Sequence, residues 1–237
     1  MLKNIPNIIT CLNLFAGCIA CVMVLNFRSY EGAFIFIVLA AVFDFLDGLA
    51  ARLLKAHSPV GADLDSLADV VSFGVAPGCI IYVCLMQLNL HNVLINNTLP
   101  MIAFVLPVFA ALRLAKFNVD TRQTTSFRGL PVPACALFWA SFIPAIQTLG
   151  LSSPVGSTVI ILFLLFAFSF LMISEIPMFS LKFKNLRWKE NEYPFSLILI
   201  SVLLISVCSY FHKYFTGVSL TIIAYIIMSL VKNAMKK

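Results

Sequence analysis

Residues 44–69 read DFLDGLAARLLKAHSPVGADLDSLAD, and their chemistry differs from that of the chain around them. The chain has six aspartates, and five of them (Asp44, Asp47, Asp63, Asp65 and Asp69) fall inside these 26 residues. Long apolar runs flank the stretch on both sides, so part of the acid cluster lies at or within the edge of a membrane. Carboxylates at such a depth are expensive unless they pair or bind cations, which marks them as a functional site. Asp44 and Asp47 are spaced i,i+3, while Asp65 and Asp69 are spaced i,i+4. On helices, each pair projects from one face about a turn apart. Two facing helices with such pairs make an oxygen-lined cage suited to hard divalent cations.

The composition excludes a soluble globular protein. Of 237 residues, 61% are hydrophobic and only 11% charged, with a mean hydropathy of +1.01. The apolar runs repeatedly reach the roughly 20 residues that span a bilayer as helix. Eight helices are expected, near 6–27, 32–55, 65–88, 98–117, 131–149, 155–181, 194–211 and 215–232. The expected fold is therefore an all-α integral membrane protein, with one domain over 1–237, a core to 181 and additional helices over 194–232. The first run is read as a retained helix, because a single lysine precedes it and no small-residue cleavage site ends it. Seven cysteines, at 11, 18, 21, 79, 84, 135 and 208, are scattered through apolar segments, and the one CxxC, Cys18-Ile19-Ala20-Cys21, lies within the first apolar run with no histidine nearby. They read as buried or lipid-facing residues rather than a disulfide or zinc framework. His57, His91 and His212 lie in separate loops and form no constellation.

Orientation follows the positive-inside rule. With both termini and alternate loops on the cytoplasmic side, that side holds Lys3, Arg52, Lys55, Arg113, Lys116, Arg122, Arg128, Lys182, Lys184, Arg187, Lys189, Lys232, Lys236 and Lys237. These are 14 of the 16 lysines and arginines, leaving Arg28 and Lys213 outside. The expected setting is a multi-pass protein of the cytoplasmic membrane with its polar site facing the cytoplasm, at the ends of helices 2 and 3. Asp44 lies eight residues before Arg52, roughly 12 Å along a helix, so the acids sit below the interface yet within reach of the cytosol.

Other residues fit around the acids. Gly48 follows Asp47 in mid-helix, where glycine costs about 1 kcal/mol of helix propensity, and close approach of a ligand would compensate. Ala51 keeps the same face low, and Arg52 offers a permanent cation for a phosphate or pyrophosphate. Ser58-Pro59 marks a break and Gly61 a turn between helices 2 and 3. In the entry segment, Pro6 is a start signal, with Asn7 as a cap and Thr10 bonding back along the helix. After helix 4, Arg113, Lys116 and Asn118 precede the turn Phe127-Arg128-Gly129-Leu130-Pro131-Val132-Pro133, which could hold cationic groups against an anionic ligand. The segment 182–192 reads as an interfacial anchor. Four aligned carboxylates could bind two divalent metals, and two-metal sites suit displacement at phosphorus.

The pattern Asp44-x2-Asp47-Gly48-x2-Ala51-Arg52-x8-Gly61-x3-Asp65-x3-Asp69 resembles, without a gap or substitution, the signature of the CDP-alcohol phosphatidyltransferase family. Within it, the PNIIT…N start, the RLAKFN segment and the FRGLPVPA turn look like the bacterial-type phosphatidylserine synthases. The resemblance covers roughly the first 135 residues, and beyond them only hydropathy matches. It implies transfer of the phosphatidyl group from CDP-diacylglycerol to L-serine, with release of CMP. It further implies that Asp44, Asp47, Asp65 and Asp69 bind Mn2+ or Mg2+, two ions together, with Asp69 also the general base. Asn7, Thr10, Gly48, Arg52, Ser58 and Gly61 would contact the CDP-diacylglycerol headgroup. Arg113, Lys116, Asn118 and Arg128 are the candidates for serine, whose carboxylate needs a cation.

Asp63 is outside the pattern and reads as a turn residue or a neighbour of the ligands. No HxKxxxxD motif supplies a covalent histidine nucleophile, so direct attack by serine is the expected mechanism. A lateral homodimer is implied by the resemblance, membrane lipid is the expected surround, and no nucleic-acid partner is expected. Two other readings stand beside this one. The same chemistry could use glycerol 3-phosphate or inositol phosphate, which would demand a denser basic pocket over 113–134. A cation transporter could also bury aspartates, although transporters place their sites near the midplane between repeated halves.

Overall fold

Hydropathy alone drives this chain into helices, because backbone polar groups inside a bilayer must be satisfied within their own segment. The computed structural model describes residues 4–56, 58–88, 90, 93–120, 127–148, 153–179 and 191–235. Among them run α1 (Ile5–Leu25), α2 (Tyr30–Leu53), α3 (Pro59–Gln87), α4 (Val93–Val119), α5 (Val132–Thr148), α6 (Pro154–Ile173), α7 (Glu192–Tyr210) and α8 (Tyr214–Ala234). Seven of these are long and apolar enough to cross a membrane. The exception is α5, with 17 residues, about 26 Å at the helical rise. It can be short because it is the interior helix: Phe138, Trp139, Ala140 and Ile143 are fully buried. Phe138 stacks on Phe168 of α6 with ring centroids 4.0 Å apart, and Ser141 shares a 2.9 Å hydrogen bond with Ser219 of α8. The seven cysteines are all free.

The eight expected spans are present, with three boundaries moved by more than two residues. The third helix begins at Pro59, not near 65, because the Ser58 hydroxyl caps it by accepting the Gly61 N–H at 3.0 Å. Serine at the cap followed by proline at the first helical position is a strong start signal. Gly61 therefore lies on the first turn of α3 rather than between helices, and Asp63 is an exposed helical residue rather than a turn residue. At the start of α1 the cap position falls to Asn4, so Asn7 lies inside the first turns and does not cap. The fourth span starts early, at Val93, and passes through a 3-10 segment, Leu99–Phe104, around Pro100.

The sixth helix ends at Ile173, not near 181. Pro177 disfavours helix at the residue before it, and Pro177–Met178 (β2) instead pairs antiparallel with Phe127–Arg128 (β1). Gly129 follows β1 with φ +73°, donating its N–H to Ile176 O at 2.9 Å, while Leu130 N–H reaches Leu171 O at 3.0 Å. A Cβ on Gly129 would overlap the Met172 carbonyl. Replacing Gly129 with alanine is expected to cost about 1–3 kcal/mol, the usual range for a non-glycine residue held at positive φ. A lowered unfolding midpoint in detergent would show it.

Two features of α3 bear on function. Its path contains a π-helical turn, Val70–Val75, immediately after Asp69, and such turns recur at functional sites. That turn also packs tightly on both sides. Gly17 of α1 meets the Ser72 backbone and Gly74 meets Pro107 of α4, where an added Cβ would lie 2.7 Å and 3.1 Å from the respective Cα atoms.

Candidate active site

Because consecutive spans alternate in direction, the start of α1, the end of α2, the start of α3, the end of α4 and the start of α5 meet at one end of the bundle. They enclose a cleft of about 1200 Å³. Asn7, Thr10, Asp44, Asp47, Gly48, Arg52, Ser58, Gly61, Asp65, Asp69, Arg113 and Asn118 all line it. The sequence-derived residues Lys116 and Arg128 do not. His57, His91, Arg122, both chain ends and the expected anchor segment before Asn191 lie outside the described residues.

Three of the acids converge. One oxygen each from Asp44, Asp47 and Asp65 lies within 4.8 Å of the others. At an effective dielectric of about 20, charges at that separation repel by about 3 kcal/mol per pair, so the arrangement calls for a cation. Asp65 Oδ1 is buried with no hydrogen-bond partner among the described residues, as an oxygen awaiting a metal would be. The donor set is all carboxylate oxygen, which fits a hard divalent ion. These three residues could hold such an ion.

The first helix clamps both acid-bearing helices. Thr10 Oγ1 donates to Asp47 Oδ2 at 2.6 Å and also lies 3.0 Å from Pro6 O. Three residues on, Asn13 Nδ2 donates to Asp69 Oδ1 at 3.1 Å. The back-bond expected for Thr10 is thus present, but its hydroxyl also engages a carboxylate. Asp69 is buried and lines the cleft one turn beyond Asp65. A Cβ placed on Gly48 would meet nothing within 4 Å, so this glycine leaves the cleft open beside Asp47. Arg52 folds back along α2, with Nε donating to Gly48 O at 3.0 Å.

On the α4 side, the basic residues divide. Arg113 is buried, with Nε unpartnered among the described residues and its guanidinium 5.9 Å from the Phe117 ring centre. Asn118 Nδ2 donates to Ser66 Oγ of α3 at 2.8 Å. Lys116 and Arg128 instead surround Glu175, in a neighbouring cavity of about 20 Å³ that Arg113 also borders. Arg128 Nη1 lies 2.6 Å from Glu175 Oε2 and Lys116 Nζ 3.2 Å from Oε1. Hydrogen bonds from Arg128 first, and then Lys116, hold the Glu175 carboxyl below its ordinary pKa.

Several residues in and around the cleft lie outside the aspartate signature. Asn13 stands one helical turn after Thr10 on the same face, so extending the face of Thr10 finds it. Nothing local links Glu175 to Lys116 and Arg128. The apolar wall is the largest addition: Leu197, Ile198, Ser201, Val202 and Ile205 of α7, and Thr221, Ile222 and Tyr225 of α8.

Fold and cleft together define a polytopic helical membrane protein with a carboxylate-lined site at one end of its bundle. The chain belongs to the CDP-alcohol phosphatidyltransferase family, whose profile its residues 3–179 match. It is similar to the archaetidylserine synthase of Methanothermobacter thermautotrophicus, at 34% identity over 175 residues, covering 73% of this chain and 68% of that protein. It is also similar to the CDP-diacylglycerol–serine O-phosphatidyltransferase of Bacillus subtilis, at 36% identity over 159 residues, covering 64% and 85%. The enzyme of that name from Methanocaldococcus jannaschii is 32% identical over 205 residues, covering 86% and 82%. The helices α7 and α8 lie beyond the family match.

Proposed function

We propose that this chain transfers the phosphatidyl group of CDP-diacylglycerol to L-serine, giving phosphatidylserine and CMP. The observation that carries this is the convergence, in one cleft, of the Asp44, Asp47 and Asp65 oxygens with buried Asp69 and buried Arg113. The serine hydroxyl attacks the phosphatidyl phosphorus, the bond to the CMP phosphate oxygen breaks, and CMP leaves with the bonding electrons. A neutral alcohol is a poor nucleophile, so a placed carboxylate must take its proton in the transition state. Asp69 has this role, since one of its oxygens is held by Asn13 and its residue faces the cleft. Mn2+ or Mg2+, two ions in this reading, would supply positive charge against the diphosphate and the departing phosphate.

Asp44, Asp47 and Asp65 would hold the metal, joined by Asp69 for a second ion. Asn7, Thr10, Gly48, Arg52, Ser58 and Gly61 line the headgroup side of the cleft. Arg113 supplies the cation for the serine carboxylate, with Asn118 beside it. Lys116 and Arg128 act one step removed, since Glu175 occupies both. The site faces the cytoplasm, consistent with the basic residues at the same ends of α2 and α4. The chain acts as one membrane domain over 1–237 and as a lateral homodimer.

Within the cleft, the cations among the described residues are Arg52 and Arg113. That is sparse for an acceptor that carries its own phosphate, and it favours serine over glycerol 3-phosphate or inositol phosphate. The acid cluster at one end of the bundle, with no aspartate in α5 to α8, also disfavours a transporter built of two halves. The test is CMP release from CDP-diacylglycerol with each acceptor in turn. Serine alone is expected to support turnover, and release with a phosphate-bearing alcohol but not with serine overturns the reading. In the same assay, Arg113→Ala is expected to raise the serine KM at least tenfold, as loss of a charge-assisted bond of about 1.5–3 kcal/mol would. The CDP-diacylglycerol KM should change far less.

A further inference from the structure

We infer that Asn13 is a positioning residue that orients Asp69, and that Ser72 and Gly17 hold it in place across the π-helical turn. The inference rests on the proposed role of Asp69 and extends it to residues outside the aspartate signature. Asn13 is fully buried within α1 and does not line the cleft, so it touches no substrate directly. Its Nδ2 donates to Asp69 Oδ1 at 3.1 Å. A carboxylate has two oxygens and can swing about its last torsion. Committing Oδ1 to a buried amide leaves Oδ2 as the oxygen offered to the reaction. Mispointing a catalytic group by as little as 1 Å can cost about a hundredfold in rate, so this bond matters beyond its own strength.

What fixes Asn13 is found one and three residues past Asp69 and one turn along α1. The π turn Val70–Val75 begins directly after Asp69 and rotates Ser72 toward α1. Ser72 Oγ donates to the Asn13 carbonyl at 2.9 Å. Four residues after Asn13, Gly17 admits the Ser72 backbone, and a Cβ there would overlap the Ser72 hydroxyl and lie 2.7 Å from its Cα. Three contacts therefore lock the register of α1 against the segment that carries Asp69. All three lie within six residues of chain on α3. The same helix face carries Thr10 to Asp47, so one rigid element sets one acid from each pair.

The test uses the purified full-length protein in detergent, with CMP release, CDP-diacylglycerol KM and the unfolding midpoint measured together. Asn13→Ala is expected to lower kcat at least tenfold while changing the CDP-diacylglycerol KM less than threefold. Asn13→Asp keeps the shape but replaces the donor with an acceptor, and should lose at least as much. Ser72→Ala, which frees the Asn13 carbonyl without touching Asp69, should lower kcat about threefold. Should Asn13→Ala fail to fold, Asn13→Asp and Ser72→Ala carry the same test. The inference is overturned if the folded variants keep kcat within twofold of the parent, or if KM and kcat fall away together as a general loss of the site would produce. Asp69→Asn separates the two ideas. If that variant turns over normally, the role given to Asp69 fails; if it is inactive while the Asn13 variants are fully active, only the present inference fails.

Discussion

Asp69→Asn is expected to lower turnover by about 10²–10⁴-fold, the range a positioned general base contributes. Asparagine keeps the size of the side chain and one oxygen, but it cannot accept the serine proton. The bond from Asn13 and the packing of the π turn against α1 can survive this change, so the variant should fold. Binding of CDP-diacylglycerol, measured by titration with the nucleotide lipid in micelles, should stay within a few-fold of the parent. Turnover within tenfold of the parent would remove Asp69 from the base role.

The second large effect concerns the metal. Dialysis against a chelator should abolish CMP release, and Mn2+ or Mg2+ should restore it. Asp65→Ala is expected to weaken Mn2+ binding at least tenfold, read by calorimetry on the protein alone and so independent of activity. A further expectation has the opposite sign. Without metal, Asp44, Asp47 and Asp65 repel one another at separations within 4.8 Å, and Asp65 Oδ1 has no compensating partner among the described residues. Removing that carboxylate should raise the unfolding midpoint of the metal-free protein, as happens where a site is kept at the expense of stability. It should also abolish the stabilisation that added metal gives the parent. An unchanged Mn2+ affinity in Asp65→Ala would place the metal elsewhere.

Much of this molecule is legible in its sequence because bilayer burial leaves few options. Eight apolar runs give eight helices, and the fixed spacing of Asp44, Asp47, Asp65 and Asp69 gives the acid faces. Local chemistry also explains one displaced boundary: Ser58-Pro59-Val60-Gly61 is a cap and first turn, although a break and a turn can be read from the same letters. The end of α6 is different. By hydropathy the helix is expected to run to 181, and it is Pro177 together with the pairing of Pro177–Met178 with β1, some 50 residues away in sequence, that ends it at Ile173. The ion pairs of Glu175 join residues 47 and 59 positions apart, and the Asn13–Asp69 bond spans 56. Such contacts leave no periodicity to detect. The same limit applies to α7 and α8, whose hydropathy announces a span but not which face lines the cleft.

The wall that α7 and α8 lend the cleft has a consequence for how substrate is supplied. The acids gather at a bundle end that water can reach, while Leu197, Val202, Ile205 and Ile222 continue the cavity into apolar surroundings. In the proposed reaction, serine and CMP are water-soluble, whereas both lipids belong to the membrane. The catalyst therefore sits across a phase boundary and exchanges only headgroups there, and no acyl chain need enter water. Availability of the lipid is then a matter of its mole fraction in the surrounding bilayer, whereas serine is supplied by volume concentration. In that reading, a change in the lipid composition of the bilayer alters the supply of the lipid substrate directly.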